Sequence, residues 1–203
     1  MKRVNKEGPR VLGEGHHHQM LQLAELRGAL ESGTVVDLAP SSEFAKGHVP
    51  GAINIPIGML AAWAGWLVDY DKPTYLICKP EQLEEAARVL HKIGVEEIVG
   101  AFDAHSVQAS GEAVEVYSTA KPAELLPRIE SGQVTLVDVR SNEEWNEGHI
   151  QNANHHFLGR LPSRLSELPT DKTVVVHCLS GARSSIAASV LQANGVKDVI
   201  NME

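Results

Sequence analysis

The sequence predicts an α/β fold made of two tandem modules, each with a mostly parallel central sheet flanked by helices. Two observations carry this prediction. The first is an internal repeat, because "VVDLAPSSEFAKGHVPGAINIP", which begins at Val35, recurs as "LVDVRSNEEWNEGHIQNANHHF", which begins at Leu136. The second is that short apolar runs alternate with longer segments of helical periodicity, as in parallel sheets whose strands are joined by helices.

The repeat sets the expected domain organisation. Matching residues in the two copies lie about 100 positions apart, which is an ordinary domain length. The paired positions include Asp37 and Asp138, His48 and His149, and Cys78 and Cys178. We therefore expect modules at 16–110 and 111–203, a boundary near Ser110, and an N-terminal extension at 1–15.

Each copy contains the same order of expected elements. The runs "TVVDL", "TYLIC", "TLVDV" and "TVVVHC" are too short and too rich in β-branched residues for helices, and they predict buried strands. Segments 81–94 and 183–195 place apolar residues at helical spacing and end on a glycine suited to a C-terminal cap. Between the copies, 103–122 predicts a polar connector with a short strand at "AVEVY".

Composition narrows the class of protein. The 203 residues are 43% hydrophobic with a net charge of -8, so the chain has a sizeable core and no overall basic footprint for nucleic acid. The N-terminus lacks a signal-peptide pattern and no apolar run is long enough to span a bilayer, which makes the cytoplasm the default compartment. In a reducing compartment Cys78 and Cys178 are expected to be separate thiols.

The loop after the last "TVVVHC" strand has the features of a reactive cysteine site. Cys178 would lie at the carboxyl end of a parallel strand, where ligands of open α/β sheets bind. The following residues lack proline, so their N–H groups are available, and Gly181 permits a conformation that a side chain would forbid. A helix beginning near Arg183 adds its dipole and a guanidinium charge, which should lower the pKa of the Cys178 thiol. The alternative is that Cys178 is a small buried hydrophobe.

These residues resemble the rhodanese-like sulfurtransferases over nearly all of the chain. The resemblance is carried by the strand end "VDVRSNEEWNEGHI", which the first module repeats, by the cysteine loop "CLSGARS", and by the spacing between them. It implies that Cys178 accepts a sulfane sulfur as a persulfide, from thiosulfate or a low-molecular-weight persulfide, and passes it to a thiol, sulfite or cyanide without a metal or other cofactor. The loop from Cys178 to Arg183 has the length associated with sulfur transfer, whereas related phosphatases have one more residue.

The resemblance and the loop chemistry together assign the candidate site. Cys178 and Arg183 are the expected catalytic residues. The residues expected to contact the substrate are Leu179, Ser180, Gly181, Ala182 and Ser184. For Ser184, capping of the helix and hydrogen bonding into the loop are equally open. The expected structural residues are Asp138, Arg140 and His149, because a buried Asp138 needs a partner such as Arg140. His177 is not assigned as a base, since adjacent strand residues point to opposite faces.

The first module departs from this pattern at its own cysteine. Cys78 is followed by Lys79, Pro80 and Glu81, so proline removes an N–H donor and glutamate brings a negative charge toward any thiolate. Ala39 replaces the arginine that the second copy supplies. We expect Cys78 to be structural and the first module to be noncatalytic. A second possibility is that Cys78 is a resolving thiol that accepts sulfur from Cys178.

The opening "MKRVNKEGPRVLGEG" fits neither module. It is similar to the tail of the metallo-β-lactamase-fold domain in persulfide dioxygenase and rhodanese fusion proteins, so such a domain is an expected partner in a parent protein. This sequence contains no His-x-His-x-Asp-His ligand set for that domain. The alternative to a sulfurtransferase is a noncatalytic rhodanese-fold module for interaction or regulation within a larger sulfide-metabolism protein.

Overall fold

The computed structural model describes residues 18–169 and 171–203, which group into two compact units. One unit contains the described residues up to Pro40 together with Ala52–Val114. The other contains Ser41–Gly51 together with Glu115–Glu203. The module limits given above stay predictions, and the extension expected at 1–15 lies outside the described residues.

The first unit is built on a parallel sheet with the strand order β1-β5-β4-β2-β3. Its strands are β1 (Gln19–Met20), β2 (Thr34–Asp37), β3 (Ile53–Asn54), β4 (Thr74–Cys78) and β5 (Ile98–Asp103). All of the neighbouring strands run parallel. The predicted strands "TVVDL" and "TYLIC" correspond to β2 and β4.

The second unit repeats this sheet with the order β6-β10-β9-β7-β8, again with parallel neighbours. Its strands are β6 (Ser118–Ala120), β7 (Val134–Asp138), β8 (Asn154–His155), β9 (Thr173–His177) and β10 (Val199–Met202). The α/β fold with two parallel sheets is confirmed. Because β9 lies in the middle of its sheet, the residue that follows it is placed at the centre of the carboxyl edge.

Helices connect the strands of both sheets. They are α1 (Leu26–Ser32), α2 (Ser41–Phe44), α3 (Leu60–Leu67), α4 (Leu83–Lys92), α5 (Ala104–Ala109), α6 (Pro122–Glu130), α7 (Asn142–Glu147) and α8 (Ala182–Ala193). Short 3-10 segments cover Leu23–Glu25, Ile57–Met59, Pro80–Gln82 and Leu158–Glu167. The predicted helices at 81–94 and 183–195 correspond to α4 and α8, and the capping glycines Gly94 and Gly195 both have positive φ. Among the described helices, none combines the length and the apolar character required to cross a bilayer.

The core of the second unit explains why these segments are strands. Every residue of β7 and β10 is buried, and so is all of β9 except Thr173, which suits runs of valine and other β-branched residues. Helix α8 is buried from Ser184 to Gln192, and its many alanine and serine residues allow close packing on several sides. The site loop between β9 and α8 is therefore held at both ends by buried elements.

The connector differs from its prediction in one detail. The "AVEVY" segment is not a strand, because only Glu115 pairs there, in an isolated antiparallel bridge with His48. Val114 and Val116 are exposed, so the alternating apolar pattern does not face a core. The strand begins at Ser118 instead, where the backbone pairs with β10.

Candidate active site

Cys178 follows β9 directly, where the chain leaves the sheet and turns into α8. Its neighbours in the sheet are β7 and β10, so the thiol lies at the carboxyl edge of a central strand. The side chain is partly exposed, whereas Cys78 is buried. Cys178 thus has the position in which parallel α/β sheets bind ligands.

Hydrogen-bond donors surround the sulfur of Cys178. The Ser184 hydroxyl Oγ lies 3.4 Å from Sγ, and backbone N–H groups of Ser180, Arg183 and Ser184 also donate toward the sulfur. Burial raises the pKa of the Cys178 thiol, but these donors outweigh it and hold the pKa below its ordinary value. In the structure Ser184 donates into the loop, while Gly181 occupies the N-cap position of α8.

Gly181 gives the loop its shape. Its φ of 83° lies in the left-handed region, and a Cβ built there would lie 2.6 Å from Cβ of Glu203. The carbonyl oxygen of Gly181 accepts a hydrogen bond from the backbone N–H of Ser185 at 2.9 Å. Glycine is therefore required at this position both by the backbone conformation and by the space available.

Replacing Gly181 with alanine should distort the loop and reduce both the stability of the fold and the rate at which the Cys178 thiol is alkylated. Left-handed backbone costs a non-glycine residue about 1–2 kcal/mol, and the contact with Glu203 adds to this. The matched control is Gly132→Ala, because Gly132 has φ +67° but a Cβ there would meet nothing within 4 Å. Urea unfolding should show a larger stability loss for Gly181→Ala, and alkylation of Cys178 by iodoacetamide should slow for that variant alone. Equal effects of the two substitutions would contradict this prediction.

Arg183 forms a bidentate ion pair with Glu144. Nη2 of Arg183 donates to Oε1 of Glu144 at 2.7 Å, and Nη1 donates to Oε2. The hydrogen bonds from Arg183 hold the pKa of Glu144 down at about 2, so the carboxylate is charged at any working pH. The guanidinium also lies close enough to Cys178 to interact with the thiolate.

Asp138, the last residue of β7, forms a second ion pair next to the end of β9. It is fully buried, and Nε and Nη2 of Arg140 donate to its carboxylate, with Nη2 at 2.6 Å from Oδ2. Burial alone would raise the pKa of Asp138, but the hydrogen bonds from Arg140 outweigh it and lower the pKa. The partner expected for Asp138 is therefore in contact with it.

His177 and His149 contact groups other than the sulfur of Cys178. Nε2 of His177 points toward Asp138, 3.5 Å from Oδ2, and burial lowers the pKa of this histidine. His149 is exposed, stacks on Trp145 with ring centroids 3.6 Å apart, and places Nδ1 at 3.0 Å from the Trp145 carbonyl oxygen. Neither contact involves the sulfur of Cys178.

The corresponding cysteine of the first unit has the opposite environment. Cys78 is 1% exposed. Burial raises its pKa to about 12, and the negative charges of Asp37, Asp103 and Glu81 act in the same direction. The residues that follow it form a short 3-10 segment, Pro80–Gln82, rather than a glycine loop.

The two thiols should differ sharply in reactivity. At pH 7, iodoacetamide should alkylate Cys178 rapidly and leave Cys78 unmodified, because only thiolates react and only Cys178 is accessible. Mass spectrometry of tryptic peptides after timed quenching measures both rates in one sample. Comparable labelling of the two cysteines in the folded protein would contradict the environments described above.

A cavity of about 380 Å³ adjoins the cysteine loop within the second unit. Ser180, Gly181 and Ala182 line part of it, together with Lys46 and Glu203. Cys178 is not among the lining residues. Within 18–169 and 171–203, no three His, Cys, Asp or Glu residues are grouped so that they could hold a metal ion.

Sequence reasoning missed Glu144. The structure brings Glu144 to Arg183 although the two are far apart in the chain. A local signal was present, because Ser141 and Glu144 form the S-x-x-E pattern of a capping box, which the structure contains. That pattern predicts the start of α7, but it does not predict the arginine partner.

A family model described as a rhodanese-like domain matches residues 22–104 and 121–203. The HTH-type transcriptional regulator Rv0324 of Mycobacterium tuberculosis is 35% identical over 109 residues, which cover 48% of this chain and 48% of the regulator. A sulfurtransferase of Allochromatium vinosum is 41% identical over 69 residues, which cover 34% of this chain and 64% of that protein. The chain thus spans less than two thirds of the length of each of these curated relatives.

One solved structure aligns with most of the chain. SseA from Escherichia coli, described as a 3-mercaptopyruvate sulfotransferase with the rhodanese fold, is 18% identical with a TM-score of 0.40, covering 91% of this chain and 97% of that chain. The family model covers most of this chain and matches it twice, so the expectation of two rhodanese-like modules is confirmed. The chain belongs to the rhodanese-like domain family.

Proposed function

We propose that the protein is a sulfurtransferase in which Cys178 carries a sulfane sulfur as a persulfide. The donor is thiosulfate or a low-molecular-weight persulfide, and the acceptor is a thiol, sulfite or cyanide. The observation that carries this proposal is the set of N–H and hydroxyl donors directed at the Cys178 sulfur, which lowers its pKa while the pKa of Cys78 is raised. Membership of a family with sulfurtransferase relatives supports the same role.

Sulfur transfer would proceed in two nucleophilic steps. The Cys178 thiolate attacks the outer sulfur of thiosulfate, the sulfur–sulfur bond of the donor breaks, and sulfite leaves with the bonding electron pair. The acceptor then attacks the outer sulfur of the Cys178 persulfide and restores the thiolate. The loop N–H groups that face the thiolate would also stabilise the persulfide anion between the two steps.

The remaining site residues have supporting roles in this proposal. Leu179, Ser180, Gly181 and Ala182 form the loop around the persulfide, and Ser184 donates its hydroxyl to the reacting cysteine. Arg183 is proposed as a catalytic residue because its guanidinium lies close to Cys178. Asp138, Arg140 and His149 stabilise the elements that present the loop.

The first module is proposed to be noncatalytic, since Cys78 is buried and its pKa is raised. A wholly noncatalytic protein, acting in interaction or regulation, is the second candidate function, and this first module is the observation that favours it. The metallo-β-lactamase-fold partner expected from residues 1–15 stays a prediction from sequence similarity.

Steady-state kinetics separate the two candidates. Initial rates of thiocyanate formation are measured while the concentrations of cyanide and of thiosulfate, or glutathione persulfide, are varied. A persulfide intermediate predicts ping-pong kinetics, with parallel lines in double-reciprocal plots. Rates no greater than those without protein, for both donors, would remove the sulfurtransferase proposal and leave the interaction module.

A further inference from the structure

The ion pair between Glu144 and Arg183 connects the start of α7 to the start of α8. Both side chains are partly buried, with 28% of Glu144 and 21% of Arg183 exposed. The two parallel contacts fix the direction of the guanidinium as well as its distance. This geometry restrains Arg183 far more than a single exposed ion pair would.

The carboxylate of Glu144 is itself held in place. Oε2 accepts a hydrogen bond from the backbone N–H of Ser141 at 3.1 Å, and the backbone N–H of Glu144 donates to the Ser141 hydroxyl at 3.3 Å. These contacts form the capping box of α7. Glu144 is thus a fixed acceptor to which Arg183 can be anchored.

The backbone of Arg183 also faces the sulfur of Cys178. Its backbone N–H donates toward Cys178, as do the N–H and hydroxyl groups of Ser184, the next residue. The residue anchored to Glu144 is therefore in the same helical turn as the donors directed at the sulfur.

We propose that Glu144 is a positioning residue for the cysteine loop, which holds Arg183 so that the first turn of α8 keeps its hydrogen-bond donors on the Cys178 sulfur. This role rests on the proposed function, because the donors on the Cys178 sulfur affect turnover only if Cys178 transfers sulfur. Glu144 acts through Arg183 and does not touch the substrate.

A positioning role for Glu144 and a direct electrostatic effect of its charge predict opposite changes in the pKa of Cys178 when Glu144 is neutralised. A nearby carboxylate destabilises a thiolate, so its removal by electrostatics alone would lower the pKa of Cys178. If Glu144 holds the donors in place, its removal loosens them and raises that pKa instead. The direction of the change in pKa therefore distinguishes the two explanations.

The experiment compares wild type with Glu144→Gln, Glu143→Gln and Arg183→Lys. Glu143→Gln is the matched control, since it removes the same charge from an exposed neighbouring position on α7. Arg183→Lys keeps the positive charge but loses the bidentate contact. The rate of Cys178 alkylation by iodoacetamide is measured from pH 5 to pH 10 by peptide mass spectrometry, and thermal unfolding confirms that each variant is folded.

The alkylation profile of Glu144→Gln should move to higher pH, with a rate at pH 6 roughly tenfold below wild type, as a pKa higher by about one implies. Arg183→Lys should move in the same direction, and Glu143→Gln should match wild type. In thiosulfate assays the kcat of Glu144→Gln should fall with the thiolate fraction.

A profile of folded Glu144→Gln that moves to lower pH, or one that does not move, would overturn the positioning role. The alkylation assay uses no sulfur donor, so it decides this question whether or not the protein transfers sulfur. Failure of the proposed function would appear separately, as a wild type that forms no thiocyanate.

Discussion

Replacing Cys178 with serine should abolish sulfur transfer, with turnover at least about a thousandfold below wild type, as expected when a nucleophile is removed. A serine hydroxyl is not ionised at neutral pH and cannot carry a sulfane sulfur as a persulfide. Thiocyanate formation from thiosulfate and cyanide measures the loss.

The matched control for this substitution is Cys78→Ser. Cys78 is buried and its pKa is raised to about 12, so its loss should leave turnover within about twofold of wild type once folding is verified. Substantial turnover by Cys178→Ser would contradict the proposed chemistry. A folded Cys78→Ser protein without turnover would instead favour a role for Cys78 as a resolving thiol.

Replacing Arg140 with alanine should destabilise the second unit by about 3–5 kcal/mol, the cost of leaving a buried charge without its partner. Asp138 is 0% exposed, and Arg140 donates to both of its carboxylate oxygens. Urea unfolding monitored by circular dichroism measures the change in free energy of unfolding.

The control is Arg164→Ala, which breaks the exposed pair between Arg164 and Glu167. This pair should contribute little to stability, because solvent screens the interaction between exposed charges. Equal losses in the free energy of unfolding for the two substitutions would contradict a stabilising role for the buried pair of Asp138 and Arg140.

The effect of Arg140→Ala should also depend on pH. Burial raises the pKa of Asp138, but the hydrogen bonds from Arg140 outweigh it, so the folded-state pKa lies below the unfolded value of about 3.9. A group with a lowered carboxyl pKa stabilises the fold above its unfolded pKa, and this contribution is lost as the pH falls through the folded pKa. Because both proteins share the same unfolded state, the difference in their stability should narrow as the pH falls from the raised pKa of the unpaired Asp138 in Arg140→Ala through the lowered pKa of Asp138 in wild type.

Much of the fold could be predicted because the sequence contains two copies of one module, which can be aligned with each other. The repeat of "VVDL" and "LVDV" segments, with β-branched strands and glycine-capped helices, identified β2, β4, β7 and β9 together with α4 and α8. The strands could be identified because short runs of β-branched residues are typical of strands buried on both faces, and the helices because a glycine cap ends each of them.

Other features depend on contacts between distant residues and have no local signal. The segment Ser41–Gly51 belongs to the first copy of the repeat, yet it groups with the second unit. The partner of Arg183 was likewise unpredictable, because nothing near Arg183 indicates that Glu144 will contact its guanidinium.

The contrast between Cys178 and Cys78 was accessible from sequence, because it depends on the residue types that follow each thiol. Glycine and serine follow one cysteine, while proline and glutamate follow the other. The structure adds the environments, with donors converging on Cys178 and burial around Cys78.

The most direct test of the central claim is the intact mass of the protein after exposure to thiosulfate and, separately, to glutathione persulfide. Wild type and Cys78→Ser should gain the mass of one sulfur atom, and cyanide or a thiol should remove it. Cys178→Ser should gain none. Absence of any transferable sulfur from wild type with both donors, or an equal gain by Cys178→Ser, would contradict sulfur transfer through Cys178.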